Sequence, residues 1–249
     1  MCIAVCGWRS APDFPLVVIA NRDEFHERPT APLSRWSDGS GIVAGRDMRS
    51  GGTWLGVSED AGRLALITNF REPGNHDPVA PSRGALVSDW LTGEWRRVED
   101  RLDQLDRFNG FSLILIDRQK GWVVDNRSLA APFGMPTGGF YGLSNSPFAA
   151  PWPKVDRLIG DMRGIMDIGP PDEDAFFAML AKGGPAEEAD AETAPIFIEN
   201  PAYGTRCSTV ITIGANGRGA IAERRFDSLG KVTGTTRIEL SFRACSYWA

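Results

Sequence analysis

Cys2 owns chemistry that no other residue of this chain is as well supplied to perform. Once the initiator Met1 is removed, it carries both a thiol and a free α-amine. That amine, with an ordinary pKa of about 7.7 to 8.0, can accept the thiol proton near neutral pH, so attack on a carbonyl needs no histidine. A retained Met1 would block it. Only two histidines, His26 and His76, are present, and neither lies in an HExxH, HxH or CxxC context. No metal site is expected from so few imidazole and thiolate ligands. A cysteine at position 2 also serves as ordinary strand filler, so its neighbours must decide between the two readings.

The neighbours come from a hairpin. Residues 2 to 8 and Leu16 to Ala20 are apolar runs separated by the Pro-containing stretch Ser10 to Pro15, which predicts an antiparallel pair. With residues 8 and 16 flanking the loop, paired positions sum to about 24, which sets Cys2 beside residue 22. The run Asn21-Arg22-Asp23-Glu24 then lies against the chain terminus. A carboxylate there can orient the amine, and an arginine can lower the thiol pKa or hold an anion. Strand alternation aims Arg22 at the opposite face from Asn21 and Asp23. Arg28, Arg35, Arg46 and Arg49, which follow, read as solvated surface.

Two further polar residues interrupt apolar strands. Asn69 closes Leu64 to Thr68, and Asn145 lies in Tyr141 to Pro147. Each serves as a turn or cap residue in one reading, and as an amide donor to a developing oxyanion in another.

The elements around these residues alternate hairpins with helices. Strand pairs are predicted over Thr53–Ser58 with Leu64–Asn69, Phe111–Ile116 with Trp122–Asp125, and Cys207–Ile213 with Gly219–Arg225, followed by a closing strand over Thr235–Phe242. Helices are predicted over Ala85–Leu91 with Ser82 as N-cap, Trp95–Phe108, a segment after Pro153, and Asp172–Ala181. Gly183 to Ala194 reads as a solvated loop. The order is that of an α+β protein of one domain spanning residues 1–249, with a two-sheet core covered by helices.

Composition narrows the partners. The 249 residues carry 27 Lys plus Arg against 32 Asp plus Glu, a net charge of −5, with no basic block to select nucleic acid. Four cysteines, Cys2, Cys6, Cys207 and Cys245, do not make a disulfide framework, which points to a reducing compartment. No basic segment followed by an apolar run of secretory length opens the chain, and no transmembrane segment is apparent. A cytoplasmic location is expected.

Met1-Cys2, Asn21-Arg22-Asp23-Glu24, Gly51-Gly52-Thr53-Trp54-Leu55-Gly56, Thr68-Asn69-Phe70-Arg71, Leu143-Ser144-Asn145-Ser146 and Tyr203 to Thr209 occur in this order. Together they resemble the NRDE family, also called the transport and Golgi organisation family, over about residues 1 to 240. That family is similar to the cysteine N-terminal-nucleophile (Ntn) hydrolases, which implies a four-layer αββα sandwich. The resemblance implies Cys2 as nucleophile, Asn21 and Asp23 in the run that holds the amine, Asn69 and Asn145 at oxyanion positions, and Arg206 as a late active-site arginine. Where those hydrolases have Arg before the Asn, this chain has Ala20, and its arginine follows as Arg22.

The family is associated with haem trafficking and with lipid or acyl-CoA homeostasis. The resemblance therefore implies a pocket for a small hydrophobic anion, with Arg22, Glu24 and Arg206 as ligand-binding residues. Haem enters as transported ligand, not as resident cofactor. The alternative is a cysteine Ntn amidohydrolase that cleaves an N-acyl amide or thioester.

Overall fold

A computed structural model describes residues 2–184 and 193–242. The chain enters through β1 (Ile3–Trp8), β2 (Leu16–Phe25), β3 (Thr30–Arg35), β4 (Ile42–Asp47), β5 (Leu55–Ser58) and β6 (Arg63–Asn69). Helix α1 (Gly84–Thr92) and a 3-10 helix (Val98–Arg107) precede β7 (Phe111–Ile116), β8 (Gly121–Asp125), β9 (Phe133–Gly134) and β10 (Gly139–Leu143). Helices α2 (Pro153–Ile168) and α3 (Glu173–Leu180) follow, then β11 (Gly183–Gly184), β12 (Phe197–Ile198), β13 (Tyr203–Ile213), β14 (Arg218–Phe226) and β15 (Val232–Ser241).

The strands build two large sheets. One has six strands in the order β10-β1-β2-β13-β14-β15; the other has seven, β3 to β9 in sequence. Period-two alternation divides their side chains among three apolar layers. Ala4, Cys6, Trp8, Val18 and Ala20 of the first sheet meet Val57, Leu64, Leu66 and Ile114 of the second between the sheets. Ile3, Val5, Val17 and Ile19 face the other way, onto Val155, Leu158 and Met162 of α2 and Phe176 and Leu180 of α3. On the far side, Ala65, Ile67, Leu113 and Leu115 pack against Leu86, Val87 and Trp90 of α1. The result is helix, sheet, sheet, helix, the four-layer αββα sandwich implied by the family resemblance.

The hairpins predicted from turn residues form, and β1 pairs with β2 in the expected register, Ile3 opposite Asn21 and Trp8 opposite Leu16. Several boundaries differ. Residues Val98–Arg107 wind as a 3-10 helix that buries only Val98 and Leu105, so the helical spacing there reports a narrow contact stripe, not an α-helix. The N-cap of α1 is Arg83, without a side-chain capping bond; Ser82 contributes its carbonyl to Ala85 instead. The expected strand at Thr53 begins only at Leu55, because Thr53 and Gly52 leave the sheet to pack on Gly84. Gly183 and Gly184 are not loop: they pair in parallel with Phe197 and Ile198. Residues 185–192 of that segment and Cys245 lie outside the described residues, while Thr193 and Ala194 lie outside any strand, Ala194 buried rather than solvated.

Candidate functional site

Cys2 sits at the start of β1, and continuing the β1–β2 register by one residue brings it abreast of Arg22. Because Ala4 points between the sheets, Cys2 points there too, at the open end of the sandwich. Its half-buried thiol lies 3.7 Å from the main-chain carbonyl of Asp23. There it borders a cavity of about 450 Å³ whose wall also carries Asp23, Glu24, Arg28, Trp54, Asn69, His76 and Arg83. Burial, the largest influence, pushes the Cys2 thiol up, and the Asp23 charge pushes the same way while Arg22 opposes it.

Asn21 and Asp23 occupy the other face of β2, toward the helices, as alternation requires. The Asn21 amide nitrogen donates to the carbonyls of Leu180 and Ile196, both at 2.9 Å, and its oxygen accepts from Ser208 Oγ at 2.6 Å. Asp23 Oδ1 accepts from Thr205 Oγ1 at 2.7 Å, and Thr205 in turn accepts from the Ile198 amide at 2.9 Å. Burial, again the largest influence, pushes the Asp23 carboxyl up, while Lys154 and the Thr205 bond pull it down.

Arg22 shares the inter-sheet face with Cys2. Its guanidinium lies 4.3 Å from the Trp54 ring centroid, donates to Thr30 Oγ1 at 3.1 Å, and stands 3.8 and 4.0 Å from the carboxylates of Glu24 and Asp47. Arg28 closes the network, with Asp47 Oδ2 at 2.7 Å and Glu24 at 3.6 Å.

Arg206 goes elsewhere. The β13–β2 register slips between Thr205 and Cys207, so Arg206 is the extra residue of a bulge. Its Nη1 donates to the carbonyls of Phe25, His26 and Arg28 at 2.8, 2.9 and 3.2 Å, and Arg206 is not part of the cavity wall. It clamps the chain leaving β2.

Asn69 and Asn145 meet each other. Asn145 Nδ2 donates to the Asn69 carbonyl at 2.5 Å, and the Arg71 amide returns a bond to the Asn145 carbonyl at 2.9 Å. Asn69 borders the cavity and Asn145 stands behind it, its Oδ1 buried without a hydrogen bond.

Three cavity arginines escaped sequence reasoning. Arg28 and Arg49, expected on the solvated surface, both border the cavity; Arg49 is exposed as expected, while Arg28 is partly buried in its ion pair with Asp47. Arg83 arrives through a close backbone approach. A Cβ on Gly52 would stand 2.6 Å from the Gly84 main chain, so the Gly51-Gly52-Thr53-Trp54 motif lets α1 begin beside Trp54. Arg83 Nη1 donates to the Gly110 carbonyl at 2.9 Å; burial lowers its pKa while Cys2, Glu72 and Glu24 raise it. Lys154 was also missed. It is fully buried at the start of α2, and its Nζ has no hydrogen-bond partner.

The family model described as Transport and Golgi organisation 2 matches residues 1–228. This chain belongs to that family. The Transport and Golgi organization 2 homolog of Mus musculus is 32% identical over 247 residues, covering 85% of this chain and 86% of its own. The Bos taurus homolog is 33% identical over 254 residues, with the same shares covered. Among solved structures, a Caenorhabditis elegans N-acylethanolamine-hydrolyzing acid amidase ortholog is similar with a TM-score of 0.40 and 12% identity, covering 84% of this chain and 92% of that one.

For this Transport and Golgi organisation 2 chain the arrangement offers a thiol, a neighbouring carboxylate and two asparagines at one end of the sandwich, with arginines across the opening. No three His, Cys, Asp or Glu converge as metal ligands among the described residues. No helix of the described residues is long and apolar enough to cross a membrane.

Proposed function

We propose that this cavity binds a hydrophobic anion, and specifically an acyl compound whose anionic group meets arginine while its carbonyl approaches Cys2. The observation that supports the reading is the shared wall: the Cys2 thiol, Arg28 and Arg83 border one cavity of about 450 Å³. Guanidinium groups recognise carboxylate and phosphate through paired N–H donors, and a mostly polar wall suits an extended head group better than a flat macrocycle. Acyl-CoA or lipid handling fits this chemistry. Haem as cargo would use the same arginines on its propionates, with His76 and Cys2 at the wall as axial donors. Titration with long-chain acyl-CoA and with haem, read by tryptophan fluorescence, tests the reading: saturable acyl-CoA binding weakened by Arg83→Met is expected. Absence of saturable binding of both overturns it.

A second reading, a cysteine amidohydrolase or acyl hydrolase, draws on Cys2, Asp23 and Asn69 bordering the same cavity. In a chain beginning at Cys2 the amine takes the thiol proton, and sulfur bonds to the carbonyl carbon as the C=O π electrons move onto oxygen. In this reading Asn69, which borders the cavity, supplies a donor to that oxyanion. Collapse breaks the amide or thioester bond, the leaving group regains the proton, and water then releases the acid. Intact mass spectrometry must show Met1 removed, and turnover over a panel of N-acyl amides and thioesters must vanish in Cys2→Ala. Retained Met1, or turnover unchanged in Cys2→Ala, ends this reading.

A further inference from the structure

Lys154 is costly where it stands. It lies in the first turn of α2, directly after Pro153, where the helix dipole disfavours a cation. Its side chain is fully buried, its Nζ has no hydrogen-bond partner, and its only ring contact is Trp152, 5.4 Å away, among the described residues. An ammonium taken out of water without hydrogen bonds needs an opposite charge in compensation.

The carboxylates of the nearest elements are exposed or already paired: on α2 itself Asp156 and Asp167 are exposed and Asp161 pairs with Lys182. Helix α2 packs on β1, β10 and α3. Cys6 of β1 points between the sheets, and Tyr141 of β10 spends its hydroxyl on the Pro136 carbonyl. On α3, Glu173 and Asp174 pair with Arg237 and Arg224. The charged or titratable groups that act on Lys154 are Asp23 and Cys2, with Arg157 of α2 opposing them. Burial is the largest influence and pushes the Lys154 pKa down, while Asp23 and then Cys2 push it up. Lys154 also helps hold the Asp23 carboxyl down against its burial.

We propose that Lys154 is a positioning residue of the Cys2 site: its buried ammonium offsets the pull of the Asp23 carboxylate on the α-amine of a chain that begins at Cys2, keeping that amine unprotonated and able to act as a base. The proposal rests on the second functional reading above. Asp23 alone would orient the amine but would also hold its proton, which is the wrong state for a base. A second cation on the same carboxylate resolves that conflict, letting Asp23 orient the amine while the proton affinity stays near ambient pH.

The test needs no substrate. Protein shown by intact mass to begin at Cys2 is labelled with 13C-cysteine, and the pH titration of the Cys2 Cα resonance reports the amine. Lys154→Met is expected to raise the proton affinity of the amine about tenfold or more, as loss of a buried cation that acts on the Asp23 carboxylate implies. Where Lys154→Met fails to fold, Asp23→Asn is compared with Asp23→Asn/Lys154→Met, and the variant that keeps Lys154 must show the lower amine pKa. Equal amine pKa values in either comparison overturn the proposal, as does Met1 retained on the chain. A wild-type chain that turns over nothing in the substrate panel but shows the shift sinks the catalytic reading alone.

Discussion

The Cys2 thiol and the Asp23 carboxylate serve opposite faces of one sheet: Sγ contacts the Asp23 main-chain carbonyl at 3.7 Å, while Oδ1 of the same residue turns to Thr205 at 2.7 Å. The polypeptide backbone separates nucleophile from carboxylate. An α-amine at residue 2 is the group that would bridge them, so the proposed hydrolase reading turns on whether the chain begins at Cys2.

Alkylation kinetics test the thiol directly. Burial raises the Cys2 pKa above its ordinary 9.0, so the thiolate fraction near neutral pH is below that of a free cysteine and grows as pH rises. The iodoacetamide reaction of Cys2, followed by peptide mass spectrometry, is expected to have a midpoint above 9.0. Removing the Asp23 charge in Asp23→Asn should lower that midpoint, and Arg22→Met should raise it. A midpoint below the ordinary value would contradict the burial described here.

Arg22 carries stability as well as charge. Its guanidinium is 5% exposed and stacks on Trp54. Arg22→Met leaves Glu24 and Asp47 with Arg28 alone and is expected to cost about 3 kcal/mol in urea denaturation. Arg22→Lys should recover little, since an ammonium does not reproduce the planar stack on Trp54.

Asn21→Ala removes two donors from buried carbonyls and strands the Ser208 hydroxyl. The expected loss is about 3 kcal/mol, measured by chemical denaturation. Asn21→Asp should be no better, because a carboxylate cannot donate to Leu180 and Ile196. A loss within experimental error for Asn21→Ala would mean that water replaces the amide.

Arg206 and Arg83 should separate stability from ligand binding. Arg206→Ala releases three carbonyls of the chain leaving β2 and is expected to lower stability by about 1 to 2 kcal/mol with acyl-CoA affinity nearly unchanged. Arg83→Met should weaken that affinity about tenfold or more. The opposite pattern in parallel titrations would place the anion at Arg206.

Much of this site was legible because it follows counting rules. The turn between β1 and β2 sets Ile3 opposite Asn21, and alternation then puts Asn21 and Asp23 on one face and Arg22 on the other. What escaped had no periodic signal. The bulge at Arg206 adds one residue to a strand that reads as regular, and so moves an expected pocket arginine onto backbone carbonyls. Arg83 reaches the cavity through the Gly52–Gly84 contact, a distance relation between separate elements. Lys154 looks like ordinary helix surface, since one lysine after a proline carries no mark of burial. Its significance needs the sheet beneath it.

The two bonds from Asn21 have a consequence for how this chain tolerates change. They grip Leu180, where α3 ends, and Ile196, just before β12, so the excursion between them is fastened at its base to the strand bearing the Asn21 to Glu24 run. A change at Leu180 or Ile196 is therefore felt directly at the strand that carries Asn21, because their two carbonyls are the points at which the end of α3 and the entry to β12 are tied to it.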